Sequence, residues 1–220
     1  MTRDGKNNLI MSMAIGYDAE RLRPFVFSLK ESGFKGDTAL IVSYPETGPE
    51  TIKALESWGV TLVPYEGWRF MPTCLGVTRY IKYLEFLSAH GDDYERVLLT
   101  GAPSAVFRKD PFDVDLSAGL TFFTEGKTIG DDLALSQGIK SAFGPDALNS
   151  LHHKTVSRAG TAMGAQNRIV GYLIAMNQVI GMASPESLKA NGMDRALHQL
   201  IVHEGIIKDF QLMEPQGGME

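Results

Sequence analysis

Short apolar runs and amphipathic stretches alternate through the first half of the chain. Leu9–Ile15 is an apolar run that ends at Gly16, which is typical of a buried strand. Ala19–Ser32 places apolar residues at the i, i+3, i+4, i+7 spacing of an amphipathic helix, and Gly33 follows as a C-cap. The same alternation predicts further strands over Thr38–Val42, Val60–Val63, Arg96–Thr100 and Gly119–Thr124. It predicts further helices over Pro49–Trp58 and Thr78–Ala89.

The second half of the chain is less regular. A strand and turn are predicted over Thr155–Gly164, and Ile206–Leu212 has the pattern of a last short strand. Helices are predicted over Asp131–Phe143, Asp146–Leu151, Gln166–Ile180 and Asp194–Glu204. Because no repeat or long linker interrupts the pattern, one domain is expected over residues 9–212, between a flexible N-terminus (1–8) and a Pro/Gly-containing tail (213–220).

Strands that alternate with helices predict right-handed crossovers and an α/β fold with a mostly parallel sheet flanked by helices. In such sheets, ligands bind beyond the carboxyl ends of the strands. That rule selects three segments of this chain as candidate binding loops, namely Gly16–Tyr17, Ser43–Tyr44 and Thr100–Ser104.

Composition narrows the choice of partners. The 220 residues are 44% hydrophobic and 21% charged, and the formal net charge is −5, with no block of Lys or Arg. Nucleic acid and anionic membranes are therefore not expected partners. Cys74 is the single cysteine, which excludes intramolecular disulfides and multi-cysteine metal sites. Since neither a spanning apolar run nor a secretory leader is present, a cytoplasmic location is expected.

Several catalytic signatures are missing from the sequence. It contains no G-x-G-x-x-G after the first strand, no P-loop and no G-x-S-x-G nucleophile elbow, which argues against dinucleotide, NTPase and α/β-hydrolase sites. His152 and His153 are interpreted as solvated or capping residues because no H-E-x-x-H accompanies them. Cys74 is interpreted as a passive thiol, since no activating pattern surrounds it.

Three constellations carry candidate chemistry. Arg79 and Lys82 are neighbours on one helix surface, where they form either an anion site or a solvated basic face. The loop Thr100–Ser104 follows a predicted strand, as a ligand-binding loop or as a simple turn. Asp194 and His198 have i, i+4 spacing, which suits a carboxylate that orients an imidazole or an ordinary surface pair.

Six segments also stand in a characteristic order. They are Thr78–Tyr83, Arg96–Thr100, Gly101–Phe112, Leu120–Glu125, Arg158–Gly164 and Asp194–Gln199. In this order the chain resembles the nucleotide-diphospho-sugar transferases of the GT-A fold, with their "v-l-l-T-D-v-r-D-v-v-F-q-x-D-P-F", "N-s-G-v-i-x-G" and "D-Q-a-l-x-n" segments. The resemblance implies a single-domain, GT-A-like (Rossmann-like) mixed sheet, a nucleotide-sugar partner, and a saccharide or other hydroxyl acceptor.

The chain departs from this family at its acidic motif. In the family, two aspartates hold a divalent metal, Mn²⁺ or Mg²⁺, against the diphosphate, whereas this sequence has Gly101 and Ser104 at those places. The asparagine of the N-s-G turn is also absent, and Arg195 stands where the family has Gln. A metal cofactor is therefore not expected, and cationic side chains, including Arg158, would have to neutralise the leaving group.

Three hypotheses follow: glycosyl transfer without a D-x-D-bound metal, a catalytically inactive scaffold for binding or assembly, and an unrelated α/β enzyme. A protein partner, which would also allow peripheral attachment to an inner membrane, stays open. Asp194, Glu125 and His198 are the candidate catalytic residues. The candidate nucleotide-sugar-binding residues are Ile15, Gly16, Tyr17, Ser43, Tyr44, Arg79, Lys82, Thr100, Gly101, Ser104, Thr161 and Arg195.

Overall fold

The computed structural model describes residues 7–66, 74–114 and 119–214. Its strands are β1 (Asn7–Met13), β2 (Asp37–Val42), β3 (Thr61–Pro64), β4 (Tyr94–Leu99), β5 (Leu120–Thr128), β6 (Thr155–Ala165) and β7 (Gln211–Met213). Its helices are α1 (Ala19–Glu31), α2 (Pro49–Ser57), α3 (Leu75–Ala89), α4 (Leu133–Phe143), α5 (Pro145–Leu151), α6 (Gln166–Met182), α7 (Pro185–Lys189) and α8 (Met193–His203). No helix within these ranges combines the length and apolar character needed to cross a membrane.

The strands form one sheet in the order β3-β2-β1-β4-β6-β5-β7. β1 pairs in parallel with β2 on one side and with β4 on the other. β6 is antiparallel to both of its neighbours, β4 and β5, whereas β5 and β7 are parallel. This mostly parallel, mixed sheet confirms the predicted fold class. The strand order reverses between β1 and β4, where the carboxyl ends of the two strands leave a crevice.

Helices cover both faces of the sheet, and the pleat distributes the core between them. Along β1, Leu9 and Met11 join the core under α3, α6 and α8, while Ile10 joins the core under α1 and α2. β4 repeats the alternation, with Leu98 on the face opposite its neighbours. Strands that are buried on both faces explain why the sequence shows continuous apolar runs here instead of alternation.

The structure corrects several predicted boundaries. β1 ends at Met13 and begins at Asn7, inside the stretch predicted as flexible, while residues 1–6 and 215–220 lie outside the described residues. α3 begins at Leu75 instead of Thr78, because the N-cap is Cys74, which makes no side-chain capping bond and gives no sequence signal. The last strand occupies Gln211–Met213 only, and the short helix α7 was not predicted.

Candidate functional site

A cavity of about 170 Å³ opens at the point where the strand order reverses. Five of the predicted site residues line it, namely Ile15, Tyr17, Arg79, Thr100 and Gly101. The other lining residues were not predicted from the sequence; they are Ser12, Met13, Leu75, Gly76, Tyr83 and Ala102. The cavity thus combines the ends of β1 and β4 with the first turns of α3, as the rule for open α/β sheets predicts.

Ser12 joins the two strand ends that form the floor of the cavity. Its hydroxyl donates to the carbonyl of Thr100 at 2.8 Å and accepts from the backbone N–H of Ala102 at 2.7 Å. Beyond them, the Ser104 hydroxyl donates to the carbonyl of Gly101 at 3.0 Å, which closes the turn on itself. The buried Ser12 side chain therefore holds the loop Thr100–Ser104 against β1. The Ser104 hydroxyl stabilises the turn within that loop.

Arg79 reaches this cavity from α3 and forms an ion pair with Asp194 of α8. The guanidinium Nη2 donates to Asp194 Oδ2 at 2.6 Å, and the two side chains are only 17% and 11% exposed. Burial by itself lowers the pKa of Arg79, but the electrostatic interactions with the Tyr80 hydroxyl and the Asp194 carboxylate outweigh that effect and raise it above its usual value. The guanidinium is therefore a fixed cation held from two sides.

Two glycines make room for this ion pair. A Cβ on Gly160 of β6 would lie 2.5 Å from Cζ and Nη2 of Arg79, and the residue has φ +82°. A Cβ on Gly76 would lie 2.7 Å from Asp194 Oδ1. Any side chain at these positions would displace the pair, because real Cβ contacts are not this short. The close approach of α3, α8 and β6 therefore depends on both glycines.

Two buried hydrogen-bond donors at the cavity are incompletely satisfied. The Nε of Arg79 has no partner among the described residues. The Tyr83 hydroxyl makes no hydrogen bond of good geometry, although it lies beside the Ser12 hydroxyl and the backbone of Met13. The Tyr83 side chain is fully buried, and burial raises the pKa of its hydroxyl to about 12, so it stays protonated at neutral pH. Buried donors of this kind cost free energy unless a ligand or water satisfies them.

A second charged group lies on the same side of α8 and combines four residues. Arg195 donates to Asp132 at 2.6 Å and to Glu125 at 3.2 Å, while Lys127 lies 2.9 Å from Asp132 and 3.3 Å from Glu125. Hydrogen bonds from Arg195, from Lys127 and from the backbone of α4 hold the pKa of Asp132 well below its usual range. Glu125 and Arg195 are therefore mutually engaged, and neither lines the cavity.

His198 does not pair with Asp194, contrary to what their spacing suggested. Its imidazole is fully buried between the Tyr172 hydroxyl, 2.8 Å from Nδ1, and the Ser157 hydroxyl, 2.8 Å from Nε2. Burial lowers its pKa to about 3, so the ring is neutral at physiological pH. Asp194 and His198 share a helix face, but their side chains have different partners. The carboxylate pairs with a residue of α3, while the imidazole hydrogen-bonds to residues of α6 and β6.

The remaining predicted site residues are spread around the carboxyl edge of the sheet. Gly16 forms the turn after β1 with φ +80°, and Ser43 is buried at the end of β2 with its hydroxyl unpartnered in the described structure. Tyr44 beside it is 42% exposed. Lys82 pairs with Glu85 on the outer face of α3, away from the cavity lining. Thr161 and Arg158 are half-buried on β6.

These positions belong to a fold with known counterparts. No protein-family model and no curated protein sequence matches the chain. In contrast, 244 chains of solved structures match it. One of them is the galactosyltransferase LgtC in complex with donor and acceptor sugar analogues, with a TM-score of 0.58 over 94% of this chain and 72% of that chain at 12% identity. The chain has a GT-A-like fold. Identity this low establishes the fold alone.

Gly101 and Ser104, which the sequence resemblance predicts to stand at the acidic-motif positions, do not suit a divalent cation. Gly101 has no side chain, and the Ser104 hydroxyl is engaged with a backbone carbonyl. Asp194 lies nearby, but its carboxylate is paired with Arg79. Within the part of the chain that the structure describes, no three Asp, Glu, His or Cys residues form a group able to hold a metal. A hard cation needs several oxygen ligands, and this donor set does not supply them.

The cavity-lining residues that were not predicted had little sequence signal. Ser12 sits inside the apolar run of β1, and Tyr83 lies within the apolar stripe of α3. Both read as core positions, and both are fully buried. Only the cavity beside them, which the tertiary structure forms, identifies their polar atoms as part of a candidate site.

Proposed function

We propose that this chain binds a nucleotide sugar, with the diphosphate at the cavity between β1 and β4, and transfers the sugar to an acceptor hydroxyl without a D-x-D-bound metal. The observation that carries the proposal is the buried guanidinium of Arg79 at that cavity, whose Nε has no hydrogen-bond partner among the described residues. The Tyr83 hydroxyl, which lies beside Ser12, is a second donor there. Phosphate oxygens accept such bonds, and bonds from a guanidinium to phosphate are charge-assisted.

The size of the cavity supports a ligand that is only partly enclosed. Small-molecule sites usually measure roughly 300–1,000 Å³, and this cavity measures about 170 Å³. It therefore suits the diphosphate, with the nucleoside extending over the ends of β1 and β2. Tyr17 and the exposed Tyr44 lie along that path, and aromatic rings there provide faces for a base.

Arg79 is the cation best placed to meet the diphosphate. Asp194 binds Nη2 of the guanidinium and leaves Nε available, so the carboxylate orients the donor. Lys82 and Arg195 are engaged by carboxylates outside the cavity, while the half-buried Arg158 is the candidate for additional charge. In this arrangement, side-chain donors take the place that a metal has in metal-dependent transferases.

The transfer step would break the bond between the anomeric carbon and the diphosphate oxygen. The acceptor oxygen would bond to the anomeric carbon, its proton would pass to a carboxylate, and the nucleoside diphosphate would leave. Both candidate carboxylates are ion-paired, and Glu125 is favoured for the proton because its side chain is 20% exposed, against 11% for Asp194. His198 is excluded from this role by its burial within the core.

Calorimetric titration of UDP-, GDP-, CMP- and dTDP-sugars, with Mn²⁺ or with EDTA, tests the binding half of the proposal. We expect saturable binding of one donor that EDTA does not change. Arg79→Lys should weaken it about tenfold or more, because the planar donor set is lost. Lys82→Ala is the matched control on the same helix and should bind like the wild type. Absence of binding by every donor, or unchanged affinity in Arg79→Lys, would refute the proposal.

A second function, an inactive scaffold used for binding or assembly, is favoured by a specific observation. Both candidate carboxylates, Asp194 and Glu125, are engaged in ion pairs. Gly101 and Ser104 also stand where the sequence resemblance predicts the two aspartates. It predicts donor binding with no release of nucleoside diphosphate in the presence of saccharide acceptors. Release that is abolished by Glu125→Gln would instead establish transfer or hydrolysis.

A further inference from the structure

A chain of buried polar groups runs from Arg79 into the core beneath the cavity. Nη2 of Arg79 donates to the Tyr80 hydroxyl at 3.2 Å. The ring of Tyr80 packs edge-on against that of Tyr172 on α6, with centroids 6.1 Å apart, and the two hydroxyls interact. Tyr172 continues to Nδ1 of His198 on α8 at 2.8 Å, and Nε2 of His198 reaches the Ser157 hydroxyl on β6 at 2.8 Å. The bonds thus join α3, α6, α8 and β6.

The far end of this chain is rigidly anchored. Gln199 binds both backbone groups of Ser157: its Oε1 accepts from the N–H at 3.0 Å, and its Nε2 donates to the carbonyl at 2.8 Å. Phe122 packs edge-on against the rings of Tyr172 and His198, with centroid distances of 5.0 and 5.1 Å. Tyr80, Tyr172, His198 and Ser157 are all at most 1% exposed, so water does not compete for their bonds.

We propose that His198 is a positioning residue that holds the guanidinium of Arg79 in its binding orientation through Tyr172 and Tyr80. This inference rests on the proposed function in one respect, since it takes Arg79 as the group that meets the diphosphate. Asp194 fixes one contact of the guanidinium, and the Tyr80 hydroxyl fixes a second. Two contacts to a planar group define its orientation, which a single ion pair does not.

The charge of Arg79 also sets the order of the protons along the chain. A cation at one end favours oxygen lone pairs that point toward it. We therefore expect the Tyr80 proton to point toward Tyr172 and the Tyr172 hydroxyl to donate to Nδ1 of His198. The imidazole then carries its proton on Nε2 and donates to Ser157. A neutral ring is required for this order, because a protonated imidazole would have no acceptor for the Tyr172 hydroxyl.

Tyr172→Phe tests the proposal, since it removes one hydroxyl that contacts neither Arg79 directly nor the cavity contents. The probe is inorganic pyrophosphate, titrated by calorimetry at low ionic strength. We expect about three- to tenfold weaker binding than in the wild type, because Tyr80 loses its anchor. Ser28→Ala is the control, as it removes a buried hydroxyl of α1 that bonds Phe25 and Phe107 on the other face of the sheet.

The outcomes separate the inference from the proposed function. Weaker binding in Tyr172→Phe with normal binding in Ser28→Ala supports the positioning role. If the wild type binds pyrophosphate, Arg79→Lys weakens it and Tyr172→Phe binds normally, the inference is overturned and the proposed function stands. If the wild type does not bind pyrophosphate, the diphosphate assignment of Arg79 fails, and the positioning role is then decided by a measurement without ligand.

That measurement is hydrogen exchange of the Arg79 guanidinium, observed by NMR in protein labelled with ¹⁵N-arginine. The resonance is identified by its loss in Arg79→Lys. We expect several-fold faster exchange of the Arg79 guanidinium in Tyr172→Phe, even though Tyr172 makes no hydrogen bond to Arg79. The control Ser28→Ala should leave the exchange rate unchanged. Unchanged exchange in Tyr172→Phe overturns the inference. A ¹⁵N-histidine spectrum should also show His198 protonated on Nε2, and an Nδ1-protonated ring would overturn the proton order.

Discussion

Gly160→Ala should destabilise the protein through the guanidinium of Arg79. Gly160 lies in β6 with φ +82°, and the added Cβ would stand 2.5 Å from Cζ and Nη2 of Arg79. The obstructing atoms belong to a buried ion pair with Asp194, so they cannot move into solvent without breaking a 2.6 Å contact. The substitution therefore strains the backbone and displaces the pair together.

The two contributions can be estimated separately. An alanine held in the left-handed region costs about 1–2 kcal/mol. Removing one partner from a buried ion pair costs about 3–5 kcal/mol, and displacing the guanidinium by roughly 1 Å should cost about half of that. We therefore expect a total loss of about 3–4 kcal/mol in the free energy of unfolding, of which the larger part comes from the contact with Arg79.

Urea denaturation of matched variants isolates this contact. Gly126 lies in β5 with φ +69° and open space around its Cβ position, so Gly126→Ala should show the backbone strain alone. In a background of Arg79→Ala, the cost of Gly160→Ala should fall to that of Gly126→Ala. Equal costs for the two glycine substitutions in the wild-type background would refute the reasoning, as would a cost that does not depend on Arg79.

Three further predictions concern the groups around α8. Because burial lowers the pKa of His198 from 6.5 to about 3, folding stability should fall as the pH drops from 6.5 toward 3, by at most about 1.4 kcal/mol per pH unit, and His198→Asn should flatten that slope in urea titrations. Asp132→Asn keeps an acceptor at the N-cap of α4 but loses the charge that Arg195 binds. We expect the free energy of unfolding to fall by about 1–2 kcal/mol at pH 7, and the loss to shrink in high salt. A loss that does not depend on salt would contradict the ion-pair interpretation. Gln199→Ala leaves the backbone N–H and carbonyl of Ser157 without their side-chain partners, so its melting should report a loss of about 2–4 kcal/mol, and a neutral effect would show that other groups satisfy them.

Elements with strong periodicity were predictable because their signal is local. The amphipathic spacing of α1 reflects one buried face, and the apolar run of β1 reflects burial on both faces of the sheet. The helix α7 and the start of α3 lack such a signal, since α7 has five residues and α3 has no capping side chain. Their positions follow from packing, for example through the hydrogen bond from the Cys74 N–H to the carbonyl of Leu188.

The sequence by itself determined the α/β fold class and the edge of the sheet at which a site could form. Parallel strands bring their carboxyl ends together whatever their side chains are, so Tyr17 and Thr100 could be assigned to one crevice from their places after two strands. Spacing along α8 likewise put Asp194 and His198 on a common face. Only the tertiary structure decided which partner each of them meets, because that depends on how separate elements pack. Arg79 and Asp194 are 115 positions apart in the chain, and their contact needs α3, α8 and a glycine of β6 in one place.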